Sequence, residues 1–166
     1  SALGESLHKL ALENQFKCIT AAMGIGTGLK KFLQEYPDRC IDVGIAEEHA
    51  VTYGAGLSAG GILPIIAIYS TFMQRAYDCI IHDIALQNLP AIFCLDRAGL
   101  VGNDGPTHHG VFDISFMRSI PNLVVTAPKD GNELLDLLNL GIKSKLILSI
   151  RYPKLNTQYD INRSPV

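Results

Sequence analysis

Short runs of apolar residues alternate along this chain with longer segments in which apolar residues recur at helical spacing. The short runs predict six strands, at Cys18–Met23, Cys40–Val43, Pro64–Tyr69, Ala91–Leu95, Asn122–Thr126 and Leu146–Arg151. The other segments predict helices near Glu5–Glu13, Leu29–Tyr36, Glu47–Ala59, Phe72–Gln87, Ser115–Arg118 and Asn132–Lys143. Strands separated by helices indicate an α/β fold, a three-layer sandwich of a mainly parallel sheet with helices on both faces. No repeat or linker composition divides the sequence, so we expect a single domain over residues 1–166.

The segment Phe72–Gln87 carries the clearest helical pattern. Thr71 and Gln74 are spaced as a capping box, which would satisfy the first free backbone N–H groups of the helix. A core face is predicted at the apolar positions Met73, Ala76, Tyr77, Ile80, Ile81 and Ile84. The opposite side, which would face solvent, a ligand or a partner, carries Phe72, Arg75, Cys79 and His82.

An uncharged stretch of 25 positions, from Ala50 to Gln74, is long enough to cross a bilayer. Gly60, Gly61 and Pro64 interrupt it. We therefore expect a buried helix, a turn and a buried strand rather than a membrane span.

The first part of this stretch carries small residues on one helical stripe, at Ala50, Gly54 and Ser58. Glycine inside a helix costs about 1 kcal/mol relative to alanine, so some close packing is expected to offset it. The pattern leaves two possibilities open. The stripe contacts either a helix of a second subunit or another element of the same domain.

Composition narrows the class of protein. Hydrophobic residues make up 48% of the chain and charged residues 18%, which predicts a sizeable core and excludes intrinsic disorder. The net charge of −2, without a basic run, gives no support for nucleic acid or an anionic membrane as a partner. The four cysteines are far apart, which argues against a zinc site or a disulfide scaffold and favours reduced thiols in a cytoplasmic protein. No signal peptide is visible at the N-terminus.

Polar residues follow the predicted strands at their carboxyl ends, where open parallel sheets bind ligands. The run Gly24–Gly28 follows the first strand, Glu47–His49 follow the second, and the loop Arg97–Asp113 follows the fourth. An irregular loop of 17 residues is more often functional than not. The glycine run resembles a dinucleotide fingerprint, with Asp42 as the ribose-binding acid. The third glycine of that motif would fall at Leu29, which disfavours a nucleotide site.

Glu47 is the leading candidate for proton transfer. It opens a helix beside a strand end in an otherwise uncharged neighbourhood, where a partly desolvated carboxyl group suits that role. Glu48 is better explained by its favourable interaction with the helix dipole. His108 and His109 could be metal ligands, but no carboxylate or cysteine stands at a companion spacing. We expect one of these adjacent histidines to enter a cleft and the other to face solvent.

The sequence DVGIAEEHAVTY at Asp42–Tyr53 resembles the pyrimidine-binding, transketolase-like domain of 1-deoxy-D-xylulose-5-phosphate synthases. The resemblance continues through YSTFMQRAYD at Tyr69–Asp78 and DRAG at Asp96–Gly99. It extends over DGPTHHG at Asp104–Gly110 and RYP at Arg151–Pro153, so it covers almost the whole chain in order. It implies the fold of a thiamine-diphosphate pyrimidine-binding domain.

The resemblance implies a thiamine-diphosphate-dependent transferase of isoprenoid-precursor synthesis. Such an enzyme decarboxylates pyruvate and adds the two-carbon fragment to glyceraldehyde 3-phosphate, which forms 1-deoxy-D-xylulose 5-phosphate and CO₂. In that family the glutamate at Glu47 hydrogen-bonds N1′ of the cofactor's aminopyrimidine, Phe72 matches the aromatic stacked on this ring, and Ile45 lines its pocket. The positions that match residues around the substrate are Tyr69, Arg75, Asp104, His108 and Lys154. We expect Arg75 to hold the phosphate and His108 to donate to the reacting adduct, so Glu47 and His108 are the expected catalytic residues.

Two positions depart from the family's pattern. Lys154 and Leu155 stand where the family usually has arginine and glycine after Tyr-Pro. Lysine keeps the positive charge but lacks the planar, two-pronged geometry with which arginine binds phosphate. Glu48 stands where glutamine is usual.

Two domains of the family have no counterpart in this sequence. One of them holds the cofactor's diphosphate and Mg²⁺ through a Gly-Asp-Gly motif, whose spacing Asp130-Gly131-Asn132 does not match. We therefore expect a fragment of a longer, homodimeric protein that supplies the pyrimidine-side half of an active site and is inactive alone. Two alternatives stay open: a non-catalytic dimerisation or regulatory domain, and a split transketolase-like or dehydrogenase beta-type subunit.

Overall fold

The computed structural model describes residues 1–154, 164 and 165. Over this part of the chain the strands are β1 Phe16–Thr20, β2 Cys40–Asp42, β3 Leu63–Tyr69, β4 Ala91–Asp96, β5 Leu123–Thr126 and β6 Ile147–Arg151. The α-helices are α1 Ala2–Ala11, α2 Lys30–Glu35, α3 Glu47–Ala59, α4 Ser70–Met73, α5 Tyr77–Cys79, α6 Asp113–Arg118 and α7 Gly131–Ser144. Turns of 3₁₀-helix lie at Pro37–Arg39, Gln74–Ala76, Gly102–Asp104 and Pro106–His108, and a π-helix lies at Ile80–Ala85.

The strands form one parallel sheet in the order β2-β1-β3-β4-β6-β5. The chain steps outward from β1 to β2 and then returns to place β3 on the other side of β1. The carboxyl ends of β1 and β3 therefore flank the point where the strand order reverses, which is where doubly wound sheets bind ligands. The register pairs Tyr69, the last residue of β3, with Asp96, the last residue of β4.

Helices cover both faces of the sheet, because successive strand residues point to opposite sides. On one face Leu7 of α1 and Leu138 of α7 pack with Ile65 of β3. On the other face Val51 of α3 packs with Ile66 of β3. Strands buried on both faces explain the nearly continuous apolar runs of the sequence. The predicted three-layer α/β sandwich is confirmed.

The predicted single helix over 72–87 is wrong. The segment consists instead of α4, a 3₁₀ turn, α5 and the π-helix, whose i→i+5 pattern appears in the bond from Leu86 N–H to the Ile81 carbonyl (2.9 Å). The capping box is wrong as well, because α4 starts directly after β3 and Thr71 lies inside it. The Thr71 hydroxyl instead donates to the carbonyl of Thr107 at 3.2 Å.

The predicted core face of this segment holds in spite of the changes in helix type. Four of its six positions are buried: Met73, Ala76, Ile80 and Ile84. The other two are half-buried, at Tyr77 and Ile81. Arg75 and His82 are exposed, as the opposite face predicts.

The small-residue stripe of α3 packs inside the domain. A Cβ at Gly54 would lie 2.8 Å from Cδ1 of Ile66 in β3, and the Ser58 hydroxyl donates to the carbonyl of Pro90 at 2.7 Å. Packing within the domain is confirmed. The alternative, contact with a second subunit along this stripe, is wrong. Among the described residues, no helix is long and apolar enough to cross a membrane.

The first strand ends earlier than predicted. β1 stops at Thr20 instead of Met23, because Ala22 adopts a positive φ of 58° that breaks the extended backbone. The chain then folds over the sheet edge, where the backbone N–H of Tyr69 points to the sulfur of Met23 at 3.3 Å. The residues after β1 therefore lie at the edge formed by the carboxyl ends of the strands.

Candidate active site

Glu47 is the first residue of α3 and its side chain is buried, with 1% of the residue exposed. Its Oε1 accepts a hydrogen bond from Nη1 of Arg75 at 2.8 Å. The prediction that Glu47 has no charged neighbour is therefore wrong, because the fold brings Arg75, 28 residues later in the chain, next to it. Within residues 1–154, Oε2 of this carboxylate has no hydrogen-bond partner. Glu47 thus presents one free acceptor oxygen in a largely dry setting.

Arg75 links this carboxylate to an aromatic cluster. Its guanidinium carbon lies 4.9 Å from the ring centroid of Phe72, within the range of a cation–π interaction. The Phe72 ring lies 6.0 Å from Tyr69 in a stacked arrangement and 5.3 Å from His108 edge-on. Four of the sequence-predicted residues thus meet Glu47 at one edge of the sheet.

Asp104 and Lys154 join the same edge. Asp104 accepts hydrogen bonds from Nζ of Lys154 and from Nε of Arg97, the latter at 3.2 Å. The ammonium of Lys154 and, after it, the guanidinium of Arg97 hold the pKa of Asp104 below its usual range. Asp96 pairs with Arg97 as well, so this corner holds two cations and two carboxylates. Leu155, the other departure from the family motif, lies outside the described residues.

Arg97 is the functional residue that the sequence reasoning missed. It is 8% exposed and has a positive φ of 60°. Its Nη1 donates to the carbonyl of Gly26 at 2.8 Å and to Asp96 at 3.1 Å. Its guanidinium carbon lies 3.8 Å from the ring centroid of Tyr69. One buried cation therefore joins the ends of three strand loops.

Asp96 is the buried acid behind this arginine. Burial raises the pKa of Asp96 to about 6, although the charge of Arg97 acts in the opposite direction. The signal for both residues was present in the sequence, since they directly follow a buried strand. Their partners at Gly26 and Asp104 could not be identified without the fold.

The glycine run after β1 serves packing. A Cβ at Gly26 would lie 1.6 Å from the hydroxyl oxygen of Tyr69, so only glycine lets this ring lie against the backbone. This contact gives the glycines a purpose other than phosphate binding and adds to the case against a dinucleotide site.

The two adjacent histidines point in different directions. The His108 ring faces Phe72, and its Nδ1 hydrogen-bonds with the Thr107 hydroxyl at 3.0 Å. His109 turns into its own loop, where Nδ1 accepts from the backbone N–H of Val101 at 3.1 Å. Both side chains are half-buried, so the expectation that one faces solvent is wrong.

Ile45 stands apart from this cluster. It is 81% exposed and follows Gly44, which has a positive φ of 74°. Its predicted place in a pyrimidine pocket stays a prediction. Glu48 is also exposed, in agreement with a surface position in the first turn of α3.

Two cavities open at this edge of the sheet. One of about 600 Å³ is lined by Phe72, Arg75, His109 and Phe112 among others. The other, about 660 Å³, lies where Asp96, Arg97, Tyr152 and Lys154 meet. Both volumes lie within the usual range for small-ligand sites.

Comparisons with known proteins show which family and fold the chain resembles. A family model described as "Transketolase, pyrimidine binding domain" matches residues 1–159. The chain is 58% identical to the 1-deoxy-D-xylulose-5-phosphate synthase of Syntrophus aciditrophicus over 152 residues, which are 91% of this chain and 23% of that protein. It is 57% identical to the enzyme of the same name from Aquifex aeolicus over 155 residues, 93% of this chain and 25% of that protein. The chain thus spans about a quarter of the length of these relatives.

Two solved structures have a similar fold. The structure titled "Split gene transketolase, inactive beta4 tetramer" superposes with a TM-score of 0.82 at 25% identity, covering 98% of this chain and 54% of that one. Transketolase from Campylobacter jejuni gives a TM-score of 0.80 at 23% identity, covering 91% of this chain and 24% of that one. The second likeness concerns the fold alone.

Proposed function

The chain belongs to the transketolase pyrimidine-binding domain family, and from that premise we propose that it is the pyrimidine-side half of the active site of a 1-deoxy-D-xylulose-5-phosphate synthase. In this proposal the complete protein condenses pyruvate with glyceraldehyde 3-phosphate, with loss of CO₂. The choice of these substrates is supported by the named relatives at 57% and 58% identity. The chain supplies part of the site and is inactive by itself.

One observation carries the proposal: a buried carboxylate with a free oxygen lies at the head of α3, linked through Arg75 to the exposed side of the Phe72 ring cluster. Surface acids that merely favour a helix dipole are hydrated, and Glu47 is not. A carboxylate in this position is suited to share a proton with a heterocycle bound against the aromatic ring.

These residues fit thiamine diphosphate, the cofactor that the family implies. The free Oε2 of Glu47 is an acceptor for the protonated N1′ of an aminopyrimidine, and the half-buried ring of Phe72 offers a stacking surface beside a cavity of about 600 Å³. When bound, thiamine diphosphate supplies a carbanion at its thiazolium carbon. The diphosphate and a Mg²⁺ ion would be held by another domain of the complete protein.

Each residue of this chain then has a defined task. Glu47 holds a proton at N1′ and thereby controls the protonation of the aminopyrimidine. Arg75 orients this carboxylate through its bond of 2.8 Å. Phe72 would orient the ring by stacking, and Ile45 would contact it from its exposed position before α3.

The substrate would lie over the other side of the cluster. Tyr69 and His108 flank the aromatic ring, and His108 can donate a hydrogen bond to a developing oxyanion. Arg75 and Lys154, both partly exposed, are the cations proposed for the substrate phosphate. Arg97 adds positive charge from behind, and Asp104 fixes Lys154 in place.

The proposal includes three properties of the complete protein. The chain is one domain, residues 1–166, of a longer polypeptide whose diphosphate-binding domain completes the site. That polypeptide forms a homodimer in the cytoplasm, in a route to isoprenoid precursors. The four free thiols of this chain agree with a reducing compartment.

A second candidate is a separate subunit of a split transketolase-like enzyme. The split-gene transketolase structure favours it, because 98% of this chain superposes on part of that chain. In this case a separately encoded chain, rather than a domain of the same polypeptide, would hold the diphosphate. Co-purification and sequencing of the intact polypeptide distinguish the two candidates.

The central test replaces Glu47 in the complete protein. Glu47→Gln and Glu47→Ala should slow exchange of the cofactor's C2 proton by about 10²-fold or more, as expected when an acid–base group is lost. Exchange is measured by proton NMR after acid quenching of the enzyme–cofactor complex in D₂O. The matched control is Glu48→Gln, one residue along the same helix, which should leave exchange unchanged. Exchange at the normal rate in Glu47→Ala would refute the proposed role.

A further inference from the structure

The loop from Arg97 to Phe112 carries Asp104 and His108 to the site, and its two ends are joined by a short antiparallel ladder. Gly99 N–H donates to the Gly110 carbonyl at 2.8 Å, and Gly110 N–H donates back at 2.9 Å. The backbone of Gly110 is closely packed in this pair. A Cβ there would lie 2.5 Å from the carbonyl oxygen of Arg97.

Beyond this pair the backbone leaves the ladder. Gly102 has a positive φ of 58°, and the backbone N–H of His108 donates to the Gly105 carbonyl at 3.1 Å within a 3₁₀ turn. Val101 is nevertheless buried, at 9% exposure, so its backbone N–H needs an acceptor. The imidazole Nδ1 of His109 provides it at 3.1 Å. A side chain thus makes the hydrogen bond that the ladder does not.

We propose that His109 is a positioning residue, whose neutral imidazole holds Val101 and thereby fixes the loop that presents Asp104 and His108 to the substrate. The inference rests on the proposed function for its substrate. The hydrogen bond itself does not depend on that function.

The position of His109 in the chain explains why its effect reaches the site. It lies between Gly110, whose backbone packs closely against Arg97, and His108, whose ring faces Phe72 at 5.3 Å. His108 ends the 3₁₀ turn and His109 is extended, so the two neighbouring rings diverge, His109 toward Val101 and His108 toward Phe72. Rotation of the His109 ring would break its hydrogen bond to Val101 and would free the His108 ring to turn away from Phe72.

The hydrogen bond also fixes the chemical state of the ring. A backbone N–H can only donate, so Nδ1 of His109 must keep its lone pair and the proton of the neutral ring lies on Nε2. This state gives the proposal a spectroscopic signature. The ¹⁵N shifts of histidine-labelled protein should include a ring signal of the Nε2–H form that is lost in every His109 variant.

Three substitutions in the complete protein separate acceptor geometry from size. In His109→Asn the amide oxygen lies on Cγ, as Nδ1 does, and can accept from Val101. In His109→Gln the oxygen lies one bond farther out, and His109→Leu removes the acceptor at similar volume. We expect kcat within about threefold of wild type for Asn, and losses of roughly tenfold or more for Gln and Leu, since a buried amide is then left unsatisfied.

Hydrogen exchange of the Leu100–Val101 peptide, read by mass spectrometry, is the second readout. Exchange should be slow in wild type and His109→Asn and faster in the other two variants. Equal activity and equal exchange of Asn, Gln and Leu variants would overturn the positioning role. If wild-type protein lacks synthase activity altogether, the proposed function fails. The exchange pattern then still decides whether His109 holds the loop.

Discussion

The strongest prediction concerns the buried acid Asp96, which is 8% exposed at the end of β4. Burial raises its pKa from an ordinary 3.8 to about 6, with the charge of Arg97 acting against the rise. The perturbation is Asp96→Asn. Asparagine keeps the shape of the side chain and an acceptor for Arg97, but it cannot ionise.

The sign of the pH effect follows from the raised pKa. Between about pH 4 and pH 6 the folded chain keeps a proton on Asp96 that the unfolded chain has released. The stability contributed by this group is therefore complete below pH 3.8 and is lost as the pH rises through 6. At about 1.4 kcal/mol for each pKa unit, the loss amounts to about 3 kcal/mol.

Urea unfolding of the chain and its variants, followed by circular dichroism from pH 4 to pH 8, measures this difference. Relative to wild type, Asp96→Asn should become more stable as the pH rises, by up to about 3 kcal/mol, and the difference should level off above pH 7. The control Glu13→Gln removes an exposed carboxyl group and should give a curve parallel to wild type. A difference between Asp96→Asn and wild type that does not change with pH would refute the reasoning. A difference that falls with pH would mean that the pairing with Arg97 outweighs burial.

Two further predictions test the site and its scaffold. Arg75→Ala in the complete protein should slow C2 proton exchange, because it leaves the buried Glu47 carboxylate without its cation, and it should also raise KM for glyceraldehyde 3-phosphate. Steady-state kinetics with an unchanged KM for that substrate would contradict the phosphate role. Gly110→Ala should lower stability by about 1–3 kcal/mol in thermal unfolding, because its Cβ would lie 2.4 Å from the Ser70 hydroxyl. Gly56→Ala in α3, with no atom within 4 Å of the new Cβ, should not lower it, and equal losses in both variants would exclude the packing explanation.

Local pattern was sufficient for the order of the elements and for much of the core. The helix Glu47–Ala59 has the predicted bounds, and the strand predicted at Pro64–Tyr69 differs from β3 by one residue. Alternation and helical spacing depend only on near neighbours in the chain, so they can be read without the fold. The predicted helix over 72–87 failed in its type, because a π turn changes the hydrogen-bond partner and leaves the spacing of buried residues nearly intact.

The candidate site residues also divide into those that the sequence identified and those that only the fold identified. Motif resemblance named Glu47 and Phe72, and the structure brings both to one edge through Arg75. Arg97 was not selected, although it follows a buried strand. Its role depends on a left-handed backbone and on contacts with Gly26, 71 residues away in the chain.

The sequence by itself determined that this protein is a parallel α/β sandwich with its polar residues at the carboxyl ends of the strands, since that information lies in the spacing of neighbours. Only the tertiary structure decided which charges meet: Glu47 with Arg75, and Asp104 with both Arg97 and Lys154. The physical reason is that strand order and register bring together loops that are far apart in the chain. No local periodicity specifies the distance between two side chains on different crossovers.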